Sequence, residues 1–211
     1  MKHLIIVGAG GMGRSLFCIA QGCYGYNEVF DIKGFIDDNL QSLDGFDGYP
    51  PLLGTIEEYQ IEKDDVFVCS ISTNHIKRKV CEQLLLKGAE FQKLIAKTAV
   101  IGKNARIEDG SIITNYVIIS PDIIIGKNTL IQDFAVIGHD CKVGDYVRVD
   151  THCTCVGGTM ICDGATIHSS SVINHSVVVG ENATVGAMSF VIRKVKPNTT
   201  VCGNPAKKID F

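Results

Sequence analysis

His139 and Asp140 are the side chains in this sequence whose types and order best suit proton transfer. They stand in the run Ile137-Gly138-His139-Asp140-Cys141-Lys142-Val143-Gly144-Asp145. An imidazole titrates near neutral pH, and an adjacent carboxylate can orient the ring and stabilise its protonated form. The pair is a candidate general base; the plainer reading is an exposed surface histidine. A second candidate is the loop Gly8-Ala9-Gly10-Gly11-Met12-Gly13, which follows the apolar run His3–Val7. Glycines at this spacing, between a strand and a helix, turn backbone N–H groups toward a phosphate. Asp37, 24 residues after Gly13, lies near the ribose-holding place of such folds. A third run, His152-Cys153-Thr154-Cys155, has the residue types of a metal cluster.

The elements that must position these groups are legible in a repeat. Every sixth residue from Ile95 to Val191 is apolar, seventeen positions without a break. The residue four further on is mostly small and never charged, from Ala99 and Ala105 through Cys153 and Thr159 to Val195. Glycine follows the aliphatic residue at 102, 126, 138, 144, 180 and 186, and is read as the turn former. A helix needs a period of 3.6 and a lone strand a period of 2, so this is a parallel β-helix of hexapeptides. Three hexads close a triangular coil, and residues 18 apart stack about 4.8 Å apart. His139 then falls at a corner, with Gly157 stacked on it and Gly158 alongside. Two glycines leave the imidazole uncovered and let a ligand approach the backbone. His175 shares that column two coils on and is read as a surface residue. Cys153 and Cys155 fall in the inward columns, so they are read as core residues and no metal is expected.

The first ninety residues read differently. His3–Val7 is a buried strand, a helix follows from Arg14 to Gln21, Ile32–Ile36 is a second strand and Asp65–Ile71 a third. A helix over Asn74–Lys87 ends at Gly88. This is a small Rossmann-like α/β domain over 1–92, followed by a β-helix over 93–195 and a tail over 196–211. A nicotinamide dinucleotide needs two such halves, about 150 residues, so a single nucleotide or nucleotide sugar fits better. Purely structural glycines remain the alternative.

Composition sets limits. The 211 residues carry 20 Lys+Arg against 23 Asp+Glu, a net charge of −3, with 7% aromatics and no Trp. That is not the basic, aromatic footprint of a nucleic-acid binder. No apolar run approaches the roughly 20 residues of a membrane span. Nine cysteines, an odd number, and Met1-Lys2-His3 running straight into a strand suggest a reduced, cytoplasmic protein.

The glycine loop, Gly34-Phe35-Ile36-Asp37-Asp38, Ser72-Thr73-Asn74, the Gly138–Asp145 segment and the terminal Gly203-Asn204-Pro205-Ala206 together carry a resemblance over nearly the full chain. The sequence resembles the bacterial sugar O-acyltransferase family often called sialic-acid O-acetyltransferase-like. That family includes acetyl-CoA-dependent N-acetyltransferases of nucleotide-linked 4-amino-4,6-dideoxy sugars. The resemblance implies a left-handed prism and a homotrimer with active sites between adjacent prisms. It implies His139 as general base oriented by Asp140, and Gly10, Gly11, Met12, Gly13, Asp37, Asp38 and Asn74 as nucleotide-sugar contacts. Gly157, Gly158 and Ala187 are implied on the coenzyme A side. One departure is Met12, where the family loop often has His.

Three functions are compatible with these residues. The first is N-acetylation of a nucleotide-linked (UDP, dTDP or GDP) 4-amino sugar by direct transfer from acetyl-CoA. The second is O-acetylation of sialic acid or another sugar hydroxyl. The third is a non-catalytic prism that binds a nucleotide sugar.

Overall fold

The N-terminal run Lys2–Val7 forms strand β1, with Leu4 to Val7 fully buried. A parallel strand covered on both faces requires such a continuous apolar run. The computed structural model describes residues 1–209, so the last two positions of the tail lie outside the described residues. It divides into two units, Met1–Lys97 and Thr98–Phe211.

In the first unit β1 is followed by helix α1 (Gly11–Gln21), β2 (Phe30–Ile36), β3 (Asp65–Cys69) and α2 (Asn74–Leu86). The sheet order is β2-β1-β3, and both pairings are parallel. Three parallel strands make one mononucleotide half of a doubly wound fold. Gly13 lets α1 press onto the turn after β1: a Cβ there would lie 2.0 Å from Gly8 O. Asp65 holds the start of β3. Its side chain is buried and takes hydrogen bonds from Lys33 Nζ (2.9 Å), Tyr59 OH (2.9 Å) and the Glu62 amide (2.8 Å). Burial alone would push the carboxyl up, but these bonds outweigh it and hold the group below the usual carboxylate range.

The second unit is the hexapeptide prism. Its two-residue strands pair in parallel at intervals of 18 residues, which makes three faces. The first face stacks Ile118–Ile119, Val136–Ile137, Thr154–Cys155, Val172–Ile173 and Phe190–Val191. The second stacks Ile124–Ile125, Lys142–Val143, Met160–Ile161 and Val178–Val179. The third stacks Ile112–Ile113, Leu130–Ile131, Arg148–Val149, Thr166–Ile167 and Thr184–Val185. The inward column is buried from Ile113 to Val191, while Ile101 at its start is 38% exposed.

Two expectations change. The left-handed backbone at the corners belongs to residues such as Asp122, Phe134, Asp140 and His152, with φ of 59–61°. The glycines after the aliphatic column serve close stacking instead. A Cβ on Gly138 would lie 2.6 Å from Gly157 N on the next coil. The tail also does not leave the repeat at Val195. Thr200–Cys202 pairs in parallel with Thr184–Val185, and Lys207–Ile209 folds back antiparallel on it. The third face thus gains two strands.

Candidate active site

His139 sits on the edge between the first and second faces, just after Val136–Ile137. Gly138 N donates to Cys155 O (2.7 Å) and Gly158 N donates to His139 O (2.8 Å), which ties this corner to the coil above. The left-handed turn at Asp140 brings its carboxylate back to the ring, 2.6 Å from His139 Nδ1. Both side chains are about two-thirds exposed, 65% and 67%. With Asp140 on Nδ1, the neutral ring carries its proton there and keeps a lone pair on Nε2. That nitrogen faces Gly157, where a Cβ would come within 2.6 Å. The Gly157 N–H has no hydrogen-bond partner among the described residues. An imidazole lone pair and an N–H without a partner among the described residues thus share one exposed corner.

Gly157 and Gly158 are therefore brought to His139, but Ala187 is not. It lies exposed on the edge between the third and first faces, one corner away within the same prism. The exposed His175 stays in the His139 column, its Cε1 3.7 Å from a Cβ placed on Gly158.

In the first unit the loop glycines divide into two kinds. Gly8 has φ +95° and Gly13 meets the Gly8 carbonyl, so both are demanded by the fold. A Cβ on Gly10 or Gly11 would meet nothing within 4 Å, so these two border open space. Helix α1 has no side-chain cap and no acid in its first turn, which leaves its positive end uncompensated. Met12 is half-buried and Asn74 opens α2. The two aspartates clamp loops: Asp37 accepts from the Ala9 amide (2.7 Å) and Asp38 from the Ile56 amide (3.0 Å).

One polar cluster escaped the sequence reading. Asp150, just after Arg148–Val149 on the third face, accepts hydrogen bonds from Arg148, Gln132 and His168. Gln132, Asp150 and His168 are 18 apart, so the coil register was the signal available. Among the described residues no group of three or more His, Cys, Asp or Glu is arranged to hold a metal ion. Cys153 and Cys155 are free and buried, and burial pushes the Cys153 thiol up to about 11.

A glycine-loop α/β unit followed by a hexapeptide prism with an exposed His–Asp pair defines a hexapeptide-repeat acyltransferase. Residues 3–84 match the family model of the PglD N-terminal domain, and residues 122–157 and 158–193 match that of the bacterial transferase hexapeptide. GDP-perosamine N-acetyltransferase of Escherichia coli O157:H7 is 32% identical over 148 residues, 68% of this chain and 67% of that protein. The chain belongs to this family of acyltransferases with a PglD-type N-terminal domain. Solved structures share the fold, including its left-handed β-helix. The acetyltransferase domain of PglB from Neisseria gonorrhoeae FA1090, in complex with acetyl coenzyme A, superposes with a TM-score of 0.88 at 23% identity, covering 99% of both chains. A mutant GDP-perosamine N-acetyltransferase from Caulobacter crescentus, in complex with CoA and GDP-perosamine, gives 0.89 at 20% identity, covering 100% of this chain and 98% of that one.

Proposed function

We propose that this protein transfers the acetyl group of acetyl-CoA to the 4-amino group of a nucleotide-linked 4-amino-4,6-dideoxy sugar. The observation that carries this reading is the His139–Asp140 pair, 2.6 Å apart, with Nε2 against bare Gly157. The neutral amine attacks the thioester carbonyl. His139 Nε2 takes the amine proton, the C–S bond breaks, and the proton passes to the departing thiolate of coenzyme A. The thioester is already activated, so no side-chain nucleophile is required. Asp140 holds the ring in the tautomer that accepts at Nε2, and the Gly157 N–H is aimed at the developing oxyanion. Gly157 and Gly158 form the coenzyme A side.

The nucleotide falls to the first unit. Gly10 to Gly13, Met12 included, take the phosphates at the uncapped start of α1, with Asp37, Asp38 and Asn74 at the margins. The 32% identity to a GDP-perosamine N-acetyltransferase favours an amino sugar on a nucleoside diphosphate. The proposed working form is a homotrimer in the cytoplasm; among the described residues no helix is long and apolar enough to cross a membrane.

The test is release of free coenzyme A thiol across UDP-, dTDP- and GDP-linked 4-amino-6-deoxy sugars. One nucleotide sugar is expected to turn over. His139→Ala is expected to lower kcat by about 10² to 10⁴ with little change in KM. A variant that keeps more than about a third of the wild-type rate rules the base out. Silence across the panel, with acetyl-CoA still raising the melting temperature, points to a hydroxyl acceptor.

A further inference from the structure

The last layer of the prism combines an apolar floor with a rim of one charge. The inward columns of the three faces end in Val191, Val195 and Val201, all buried. Val191 stacks on Ile173, Val195 bridges to Val179 and Val201 pairs with Val185, so each face contributes one valine. These valines line one side of a cavity of about 270 Å³. Arg193, Lys194, Lys196 and Lys208, all exposed, line the rest of it with Thr199 and Ala206. Arg193 and Lys194 turn the corner between Val191 and Val195, and Lys196 follows that corner. Lys208 lies opposite Val201 on the folded-back strand. Two separate segments thus bring four cations to one apolar floor.

The charge of the chain is sharply divided. Residues 182–209 hold five Lys+Arg, these four and Lys207, and no Asp or Glu. Residues 1–181 hold 15 Lys+Arg against 22 Asp+Glu. An acidic protein therefore ends in a purely cationic segment. Among the described residues Arg193, Lys194 and Lys196 form no ion pair. Nothing within the segment cancels the positive potential at this end of the prism, and such a surface attracts an anionic partner.

The apolar groups beside the cations say what kind of anion fits. Ile192 and Ile209 flank the rim, 41% and 36% exposed. A soluble polyphosphate is matched by the cations alone and leaves these side chains in water. A phospholipid surface offers both parts: a plane of phosphates, and glycerol and acyl carbons just beneath it. Clusters of four or more Lys and Arg are drawn to anionic headgroups, and neighbouring apolar side chains add to the attachment. The long Lys and Arg stems can lie along the valine floor while their charged heads reach the phosphates.

We propose that the C-terminal end of the prism is a docking surface for an anionic phospholipid bilayer. Arg193, Lys194, Lys196 and Lys208 hold the headgroup phosphates, and Ile192 and Ile209 enter the headgroup layer. The contact is peripheral, since among the described residues no helix is long and apolar enough to cross a membrane. It is independent of the acetyltransferase reading and leaves the His139 corner unchanged.

The test is co-sedimentation of the full-length protein with lipid vesicles. Vesicles of phosphatidylcholine containing about one-third phosphatidylglycerol should bind it at least about tenfold more tightly than phosphatidylcholine alone. Raising the salt from about 0.1 M to about 1 M should release it, because the Debye length falls from about 10 Å to about 3 Å. Each cation removed from the rim should weaken binding about fivefold, so the double variant Arg193→Gln/Lys194→Gln should lose about 25-fold with an unchanged melting temperature. Lys103→Gln/Lys127→Gln, which removes two exposed lysines from earlier coils, should bind as wild type. Equal binding to neutral and anionic vesicles, or an equal loss in the two double variants, overturns the proposal. So does release from the vesicles by inorganic pyrophosphate or acetyl-CoA at constant ionic strength, which would assign the rim to a soluble phosphate ligand. The readout needs no turnover, so inactivity with every acceptor would sink the acetyltransferase reading while vesicle binding still decided this one.

Discussion

Gly157 and His139 are one coil apart and in van der Waals contact, so close that a methyl group on Gly157 would overlap the ring at 2.6 Å from Nε2. The position of the candidate base therefore depends on a side chain that is missing from its neighbour. Gly157→Ala has no left-handed backbone to strain, since Gly157 has no positive φ. The added methyl must move the ring. Expected is a loss of kcat of about 10²-fold or more, the scale of an ångström-level misplacement, with circular dichroism and melting temperature close to wild type. A fully active alanine variant would mean that His139 acts from another rotamer or does not act.

Asp140→Asn separates orientation from fold. The pair is about two-thirds exposed, and ion pairs of that kind contribute little to stability. The amide can still bond Nδ1, but it no longer stabilises the imidazolium. A fall in kcat of about 10- to 100-fold is expected, with the melting temperature unchanged. A variant with kcat intact would reduce Asp140 to a turn residue.

Asp65→Asn tests the buried network of the first unit, and its pH dependence has a defined sign. The folded-state pKa of Asp65 lies below its ordinary value. Its contribution is thus present above the ordinary carboxylate pKa and lost as pH falls through the folded one. At neutral pH the substitution should destabilise the unit by about 1–3 kcal/mol. The difference from wild type should shrink on acidification below the ordinary carboxylate range. Denaturant unfolding at neutral and acid pH measures both; a difference that grows toward acid contradicts the assignment.

Thiol chemistry should be confined to the surface. Cys18 is exposed, whereas Cys23 and Cys153 are buried, with burial pushing their thiols up to about 12 and about 11. A maleimide at neutral pH should label Cys18 first and leave those two unmodified in the folded protein, since thiolate is the reactive form. Rapid labelling of Cys153, read by peptide mass spectrometry, would reopen a role for the His152–Cys155 run.

The hexad columns alone specify the prism, because inward positions of a coil must be apolar or small and each recurs every six residues. Ile113 through Val191 are buried as that rule demands. The glycine loop was legible for a related reason: Gly8 and Gly13 occupy places where a side chain does not fit. Turn chemistry was less legible. In this prism the left-handed corner accepts Phe134 and His152 as readily as Asn or Asp, since stacking against the coils above and below holds it in place. Residue type therefore did not mark the turn.

By itself, then, the sequence determined a nucleotide-fold unit, a triangular prism and a histidine under two glycines, since each follows from local spacing. Only the tertiary structure decided which of these groups share an edge. Winding in threes put Gly157 on His139, sent Ala187 to another corner and gathered Gln132, Arg148 and His168 around Asp150. Those meetings depend on how the coil closes in space: residues 18 apart become neighbours, while residues three or four apart along the chain can end on different faces.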